Sequence, residues 1–284
     1  MVVAIVLGDG LAAAGLVLLL AGRWPAVAAP HLSAERIVEE VEQHSGLARH
    51  LRRHYDPKTE TGVALAAATA LVAVAAAGIG IVLALVRSKF GVESVDVRLA
   101  QYGARNATPW STDVLRFLTE PGGTRVVVGL AVVATAVEYV RRPSRALPLF
   151  MALVVAGRFA MSNAIKLIVE RARPDFDRLA GFAGTSFPSG HSTAAAATLA
   201  AIALIATRDR SRRVRVMSAS AAVGLAVIVA GTRVMLGVHW FSDVAAGLLL
   251  GWGWFSLCSI AFGGRLLSFG RPVAVAEAAA GTPS

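Results

Sequence analysis

The chain has 284 residues, of which 56% are hydrophobic and only 16% are charged. This apolar share exceeds the roughly 45–50% that is usual in soluble domains, so the composition excludes an ordinary soluble protein and indicates an integral membrane protein. The formal net charge of +10 comes largely from arginines in short turns between apolar runs, a pattern that is typical of membrane proteins and does not indicate nucleic-acid binding.

The first predicted element is the apolar run over residues 2–22, which is closed by a charge, an interfacial aromatic and a proline. Such an ending is typical of a membrane span, so we predict a transmembrane helix over residues 1–24. A cleaved signal peptide is the alternative, because residues 27–29 resemble a cleavage site. Residues 1–7 lack the basic residues with which a signal peptide begins, which favours an uncleaved span.

The next segment, residues 25–60, is much more polar than the first span. Its apolar residues recur at helical spacing, which predicts one or two amphipathic helices lying along the cytoplasmic headgroups. A solvated connector is the alternative interpretation of the same segment.

Six further apolar runs follow, several of them at or below the roughly 20 residues that cross a bilayer. They cover residues 62–86, 126–140, 146–169, 191–207, 216–232 and 244–262. Residues 92–123 are predicted to form a polar loop with short amphipathic pieces, and residues 265–284 a flexible C-terminal tail. These elements predict an all-α, polytopic membrane helix bundle with a core over residues 61–264 and one extra N-terminal transmembrane helix.

The basic residues predict how this bundle lies in the cell membrane. If the spans alternate in direction, one side receives the Arg-rich turns at residues 141–145 and 208–215 together with the segment 23–60. Because short basic loops favour the cytoplasm, we expect the loops at 170–190 and 233–243 to be extracytoplasmic. Cleavage of the first span would reverse this orientation.

Three polar blocks interrupt the apolar sequence, and ionisable residues at the edge of apolar helices mark a site by default. In the first block, Lys166 and Arg173 are seven residues apart, so the spacing predicts that both project from one face of a helix ending near Pro174. Two cations on one face indicate an anion site. Basic side chains at a helix end can also simply reach the headgroups, which is the alternative.

The second block, residues 188–191, stands immediately before an apolar run. Gly190 permits close approach to the backbone, and Ser189 adds a hydroxyl donor to the free N–H groups of a helix start. His191 titrates near neutrality, so it is suited to donate a proton to a leaving oxygen. This block therefore indicates a second part of an anion site.

The third block adds another cation, Arg233, followed by His239 and Asp243. A separation of four residues would let the carboxylate face the imidazole across one helical turn and hold it in one tautomer, as a nucleophilic histidine requires. Taken alone, this spacing is more typical of a capping or packing pair. Taken with the other blocks on the same membrane face, it predicts a phosphoryl group that is attacked by one histidine and leaves with the help of the other.

With these spacings the chain resembles the type 2 phosphatidic acid phosphatase family, which is related to bacterial acid phosphatases and vanadium haloperoxidases. Its three signature motifs match residues 166–174, 188–191 and 233–243, and the resemblance extends over residues 62–262. The resemblance implies a six-helix membrane core and a metal-independent phosphatase without cofactor that forms a phosphohistidine on His239. The roles it implies are an orienting Asp243, a proton-donating His191, and phosphate binding by Lys166, Arg173, Ser189, Gly190 and Arg233.

The resemblance also implies an amphiphilic lipid phosphate as substrate: a polyprenyl diphosphate, as in undecaprenyl-diphosphatases, phosphatidic acid or phosphatidylglycerol phosphate. A membrane transporter or anion-binding protein, or a vanadate-dependent haloperoxidase, would reuse the same pocket and remains the alternative. Thr232 departs from the serine that usually opens the third motif. For Arg158, within the span 146–169, a buried structural ion pair, for which Glu138 is a possible partner, is favoured over a place at the lipid entry.

Overall fold

The computed structural model describes residues 1–23, 60–88, 91–175, 179–181 and 184–266. Within these ranges the chain forms helices and no strand, so the all-α prediction is confirmed. A short 3-10 turn, Glu120–Gly122, lies between the fourth and fifth helices. The helices are α1 (Val2–Arg23), α2 (Glu60–Ser88), α3 (Val92–Arg105), α4 (Pro109–Thr119), α5 (Thr124–Arg141), α6 (Ala146–Val169), α7 (Gly190–Thr207), α8 (Arg212–Met235) and α9 (Phe241–Leu266).

Six of these helices are long and apolar enough to cross a membrane, namely α1, α2, α6, α7, α8 and α9. The segments Pro109–Gly122 and Thr124–Arg141 together supply a further candidate span, although they are bent by 48° at their junction. The prediction of a polytopic membrane helix bundle is therefore confirmed. The proposed boundaries of the core at 61 and 264 stay a prediction, and residues 25–59 and 267–284 of the predicted polar segment and tail lie outside the described residues.

The predicted polar loop at residues 92–123 is instead largely helical. It contains α3 and α4, each of which buries only one face; α4 begins with Pro109 and a capping box in which Thr108 and Ser111 exchange hydrogen bonds. The loop prediction was wrong because helices with one polar face lack the long apolar run that marks a span. On α4, Leu115 is buried while Phe117 is exposed, so one side of the helix packs against the bundle and an apolar side chain points outward.

The extra N-terminal helix packs antiparallel along α8. A Cβ atom at Gly10 would lie 2.8 Å from the carbonyl oxygen of Gly224, so the two glycines allow the helix backbones to approach closely. Nearer the start of α1, Val2 and Val6 are buried in one apolar cluster with residues at the end of α8, among them Val234. The helix outside the recognised core is therefore packed directly against the helix that carries the third block.

The Arg-rich turns gather at one end of the bundle. Arg142, after α5, pairs with Asp209, after α7, at 2.8 Å, and Arg212 at the start of α8 donates to the carbonyl oxygen of Ala21 near the end of α1. The opposite end holds α3, α4 and the segments at residues 170–175, 184–189 and 236–240. The two groups of loops thus separate as the alternating topology predicts, whereas the side that faces the cytoplasm stays a prediction.

Candidate active site

The first block reaches the site through a sharp change of chain direction at the end of α6. The helix ends at Val169, and Glu170 adopts a left-handed conformation with φ of 45°. Arg173 therefore lies in irregular chain, and the predicted single helical face for Lys166 and Arg173 is wrong. Lys166, on the helix, and Arg173, in the loop that follows it, nevertheless reach the same part of the site.

Both cations of this block bind the same backbone carbonyl. The Lys166 Nζ donates to the carbonyl oxygen of Thr185 at 2.6 Å, and Arg173 Nη2 donates to it at 3.2 Å. Arg173 Nη1 also donates to the carbonyl oxygen of Val238 at 2.6 Å and lies 3.1 Å from His239 Nε2. The guanidinium group thus joins the first block directly to the predicted nucleophile.

The second block starts α7 and is tied to the third block. Ser189 is the N-cap residue; its side chain accepts hydrogen bonds from the backbone N–H and hydroxyl groups of Ser192, and its own N–H donates to the carbonyl oxygen of Asp243 at 3.0 Å. A Cβ atom at Gly190 would meet nothing within 4 Å. Open space therefore lies beside the helix start, where backbone N–H groups favour an anion.

His191 follows Gly190 in the first turn of α7. The turn before α5 lies close to it: a Cβ at Gly122 would come within 2.7 Å of the His191 carbonyl oxygen, and a Cβ at Gly123 within 3.9 Å of its ring Nε2. A glycine at position 122 is needed for this approach, whereas the distance at Gly123 is an ordinary van der Waals contact. The Ser189 N–H, two residues before His191, donates to the carbonyl oxygen of Asp243, so the turns that carry the two histidines are in direct contact.

The third block is a tight turn between α8 and α9. Gly237, with φ of 69°, reverses the chain, and the carbonyl oxygen of Arg233 accepts hydrogen bonds from the N–H groups of Val238 and His239. Arg233 is buried and its Nη1 donates to Thr119 Oγ1 at 3.3 Å. The hydroxyl of Thr232 donates to the carbonyl oxygen of Val229 at 2.6 Å. The hydroxyl that threonine shares with serine is thus bound to the helix backbone.

His239 and Asp243 meet at the start of α9 rather than within a helix. His239 Nδ1 lies 3.4 Å from Asp243 Oδ2, and the same carboxylate oxygen accepts from the Trp240 N–H at 3.0 Å and from the hydroxyl of Ser186. Burial lowers the pKa of His239 to about 4, an effect that Asp243 only partly offsets. The imidazole is therefore neutral at neutral pH. With Nδ1 protonated toward Asp243, Nε2 carries the free electron pair.

Sequence reasoning missed the residues that bind the Asp243 carboxylate on the side away from His239. Arg171 Nη1 donates to Asp243 Oδ1 at 2.6 Å and to Ser242 Oγ at 2.7 Å, and its Nη2 donates to Asp96 Oδ2 at 2.8 Å. Asp96, on α3, also accepts from the N–H and hydroxyl groups of Ser242. The arginine was visible as a neighbour of Arg173, but no local signal links it to an aspartate 75 residues earlier in a segment predicted to be loop.

Arg158 does not form the structural ion pair that the sequence favoured. Glu138 pairs with Arg141 on its own helix at 2.9 Å. Arg158 is only 3% exposed, its Nε has no hydrogen-bond partner, and no salt bridge to it occurs among the described residues. The prediction was wrong because an acidic residue one turn from a helix end is matched more easily by a neighbour on the same helix.

Taken together, the fold and the site define a multi-pass membrane protein in which three cations and two histidines gather at one end of the helix bundle. The sequence model of the PAP2 superfamily matches residues 145–266. Phosphatidylglycerophosphatase B of Bacillus subtilis is 31% identical over 173 residues, which are 60% of this chain and 84% of the relative. The chain therefore belongs to the PAP2 superfamily, the type 2 phosphatidic acid phosphatases, and the predicted membership is confirmed.

Two further comparisons agree with this assignment. A crystal structure of a transmembrane PAP2-type phosphatidylglycerolphosphate phosphatase from Bacillus subtilis superposes with a TM-score of 0.64 at 28% identity, covering 69% of this chain and 96% of that one. The lipid A 1-phosphatase of Rhizobium etli is 42% identical over 119 residues, which are 38% of this chain and 46% of the relative. These relatives are membrane lipid phosphatases.

Proposed function

We propose that this protein is an integral-membrane lipid phosphatase that works through a phosphohistidine on His239, without a metal ion. The observation that carries the proposal is the position of His239 Nε2. It lies 3.1 Å from Arg173 Nη1, while the other ring nitrogen faces Asp243. Asp243 orients the neutral imidazole through Nδ1, and Nε2 lies beside a cation that can bind an anionic phosphate. This arrangement suits Nε2 to attack the phosphorus.

The proposed reaction has two displacements. His239 Nε2 attacks the phosphorus in line, and the bond between phosphorus and the leaving oxygen breaks as His191 gives that oxygen a proton. Water, which returns a proton to His191, then attacks the phosphohistidine, and inorganic phosphate leaves. Lys166, Arg173 and Arg233 would neutralise the equatorial oxygens, where charge gathers in the transition state.

Ser189 is proposed to position the start of α7, whereas Gly190 is proposed to leave room there for the phosphate. The hydroxyl of Ser189 caps α7 and its N–H is bound to Asp243, so its part in phosphate binding is to hold the helix start in place. Gly190 leaves open space beside the free N–H groups of that start. These groups, together with the helix dipole, would bind one phosphate oxygen.

We also place the site on the extracytoplasmic side of the cell membrane. The turns around Arg142 and Arg212 lie at the end of the bundle opposite to His239, and short basic turns favour the cytoplasm. The substrate is then a lipid of the outer leaflet whose phosphate rests at headgroup depth. Polyprenyl diphosphates, phosphatidic acid and phosphatidylglycerol phosphate are the classes proposed.

Phosphate release in detergent tests this function. The wild-type protein is given a panel of polyprenyl, glycerolipid and soluble phosphates, with and without a metal chelator, next to His239→Ala. We expect release from lipid phosphates that the chelator does not change, and a fall in kcat of at least about 10⁴-fold in the variant, as when a nucleophile is removed. His50→Ala, in the polar segment before the core, is the matched control and should retain full turnover.

Two results would contradict the proposal. Loss of activity on chelation would contradict the metal-free mechanism, and normal turnover of His239→Ala would contradict the nucleophile. Phosphate flux across proteoliposomes without hydrolysis would favour a transporter, and peroxide-dependent halide oxidation with added vanadate would favour a haloperoxidase.

A further inference from the structure

A second polar position lies deeper in the bundle, below the site. Arg158 and Ser162, on α6, are 3% and 4% exposed, and the Arg158 Nε and the Ser162 hydroxyl both lack a hydrogen-bond partner. They are spaced four residues apart, as are Ser162 and Lys166, so all three lie on one face of the helix. Eight residues separate Arg158 from Lys166, which is about 12 Å along the helix axis.

The position of Arg158 relative to the apolar core is also defined. Val154, one turn earlier on α6, packs in a buried cluster with Ala197 and Ala201 of α7. Arg158 therefore lies between this cluster and the start of α7. Lys166, two turns further along the same face of α6, belongs to the site, so Arg158 lies below the site on the same helix face.

Arg158 forms no ion pair within the described part of the chain. A buried charge without a partner is costly, and an ionisable residue inside a membrane span is by default functional. Arg171 shows the other case, because each of its terminal nitrogens binds an aspartate. A buried guanidinium that lacks a carboxylate partner and lies two turns from Lys166 on the same helix face is arranged to receive a second anion.

We propose that Arg158 and Ser162 form a second phosphate subsite, which binds the phosphate that stays on the lipid when the terminal phosphate is removed. This inference rests on the proposed function. In that reaction His191, in the first turn of α7, protonates the leaving oxygen, so the leaving group lies beside that turn. Arg158 lies on the neighbouring helix α6, between Lys166 and the cluster that Val154 forms with α7. The subsite gives the enzyme a preference for lipids that carry two phosphate groups, such as phosphatidylglycerol phosphate or a polyprenyl diphosphate, over lipids that carry one.

The test compares two lipids with the same acyl chains, phosphatidylglycerol phosphate and phosphatidic acid, in detergent. The readout is the ratio of their kcat/KM values. We expect Arg158→Met to lower this ratio about 10- to 100-fold, the loss of a charge-assisted hydrogen bond. Arg158→Lys, which keeps the charge, should lower it less, and Ser162→Ala should lower it in the same direction. Arg142→Met, at the far end of the bundle, is the matched control and should leave the ratio unchanged.

The outcomes separate this inference from the proposed function. An unchanged ratio in Arg158→Met, or an equal loss on both lipids, would overturn the second subsite while the phosphatase activity stands. A wild-type protein that hydrolyses neither lipid would overturn the proposed function itself, and the subsite with it. If Arg158→Met weakens inhibition by inorganic phosphate but leaves the ratio intact, the arginine binds free phosphate and the inference is wrong.

Discussion

Two arginines on either side of Lys166, Arg158, which is buried, and Arg171, which is 17% exposed, have opposite surroundings. Arg171 lies in irregular chain after α6, and its terminal nitrogens bind Asp243 at 2.6 Å and Asp96 at 2.8 Å. Arg158 lies within α6, and no salt bridge to it occurs in the part of the chain that the structure describes. Arg171 is partly exposed and is paired with two carboxylates, whereas Arg158 is buried and has no carboxylate partner among the described residues.

This difference separates a positioning arginine from a ligand-binding one. Asp96 and Asp243 are 1% and 0% exposed, so Arg171 neutralises two carboxylates that would otherwise be buried without a cation. It also connects α3, which lies outside the matched family region, to the carboxylate that orients His239. Arg158 makes no such connection, and its charge is available to a substrate.

Of the two arginines, Arg171 is expected to change stability and activity the more when it is replaced. Arg171→Met leaves two buried carboxylates unpaired, which we expect to lower the free energy of unfolding by about 3–5 kcal/mol. Because Asp243 would be free to shift or take up a proton, kcat should fall more than about 100-fold while KM changes little. Denaturation followed by fluorescence and steady-state kinetics on one lipid phosphate measure the two effects.

Arg171→Lys is the matched control. It keeps the charge but loses the planar fork that binds both aspartates, so kcat and stability should be intermediate. A variant Arg171→Met with full kcat would show that Asp243 is held well enough by Ser186 and Trp240, and would remove the positioning role.

A smaller effect of opposite sign is expected for Arg158. Arg158→Met removes a buried charge that has no partner, so it should raise the free energy of unfolding, by about 1–3 kcal/mol. The same denaturation assay, without substrate or added phosphate, measures it. A loss of stability as large as that in Arg171→Met would mean that Arg158 has a structural role, and the contrast between the two arginines would fail.

The sequence predicted the parts of this protein that rest on local pattern. The spans follow from apolar runs, and the three blocks follow from short motifs whose members the structure brings together around His239. The contact of Arg171 with Asp96 could not be predicted, because it joins a loop to an amphipathic helix 75 residues away. The single helical face for Lys166 and Arg173 failed because a helix can end between two residues at helical spacing, as it does at Glu170.

The measurement that tests the central claim most directly is the capture of the covalent intermediate. A lipid phosphate labelled with ³²P is mixed with the His191→Ala variant, in which hydrolysis of a phosphohistidine should be slowed, and the reaction is quenched in base, where this bond survives. We predict labelled protein, with the label on the peptide that contains His239 and absent in a His191→Ala, His239→Ala double variant. Label on another residue, or continued phosphate release by the double variant, would contradict the account.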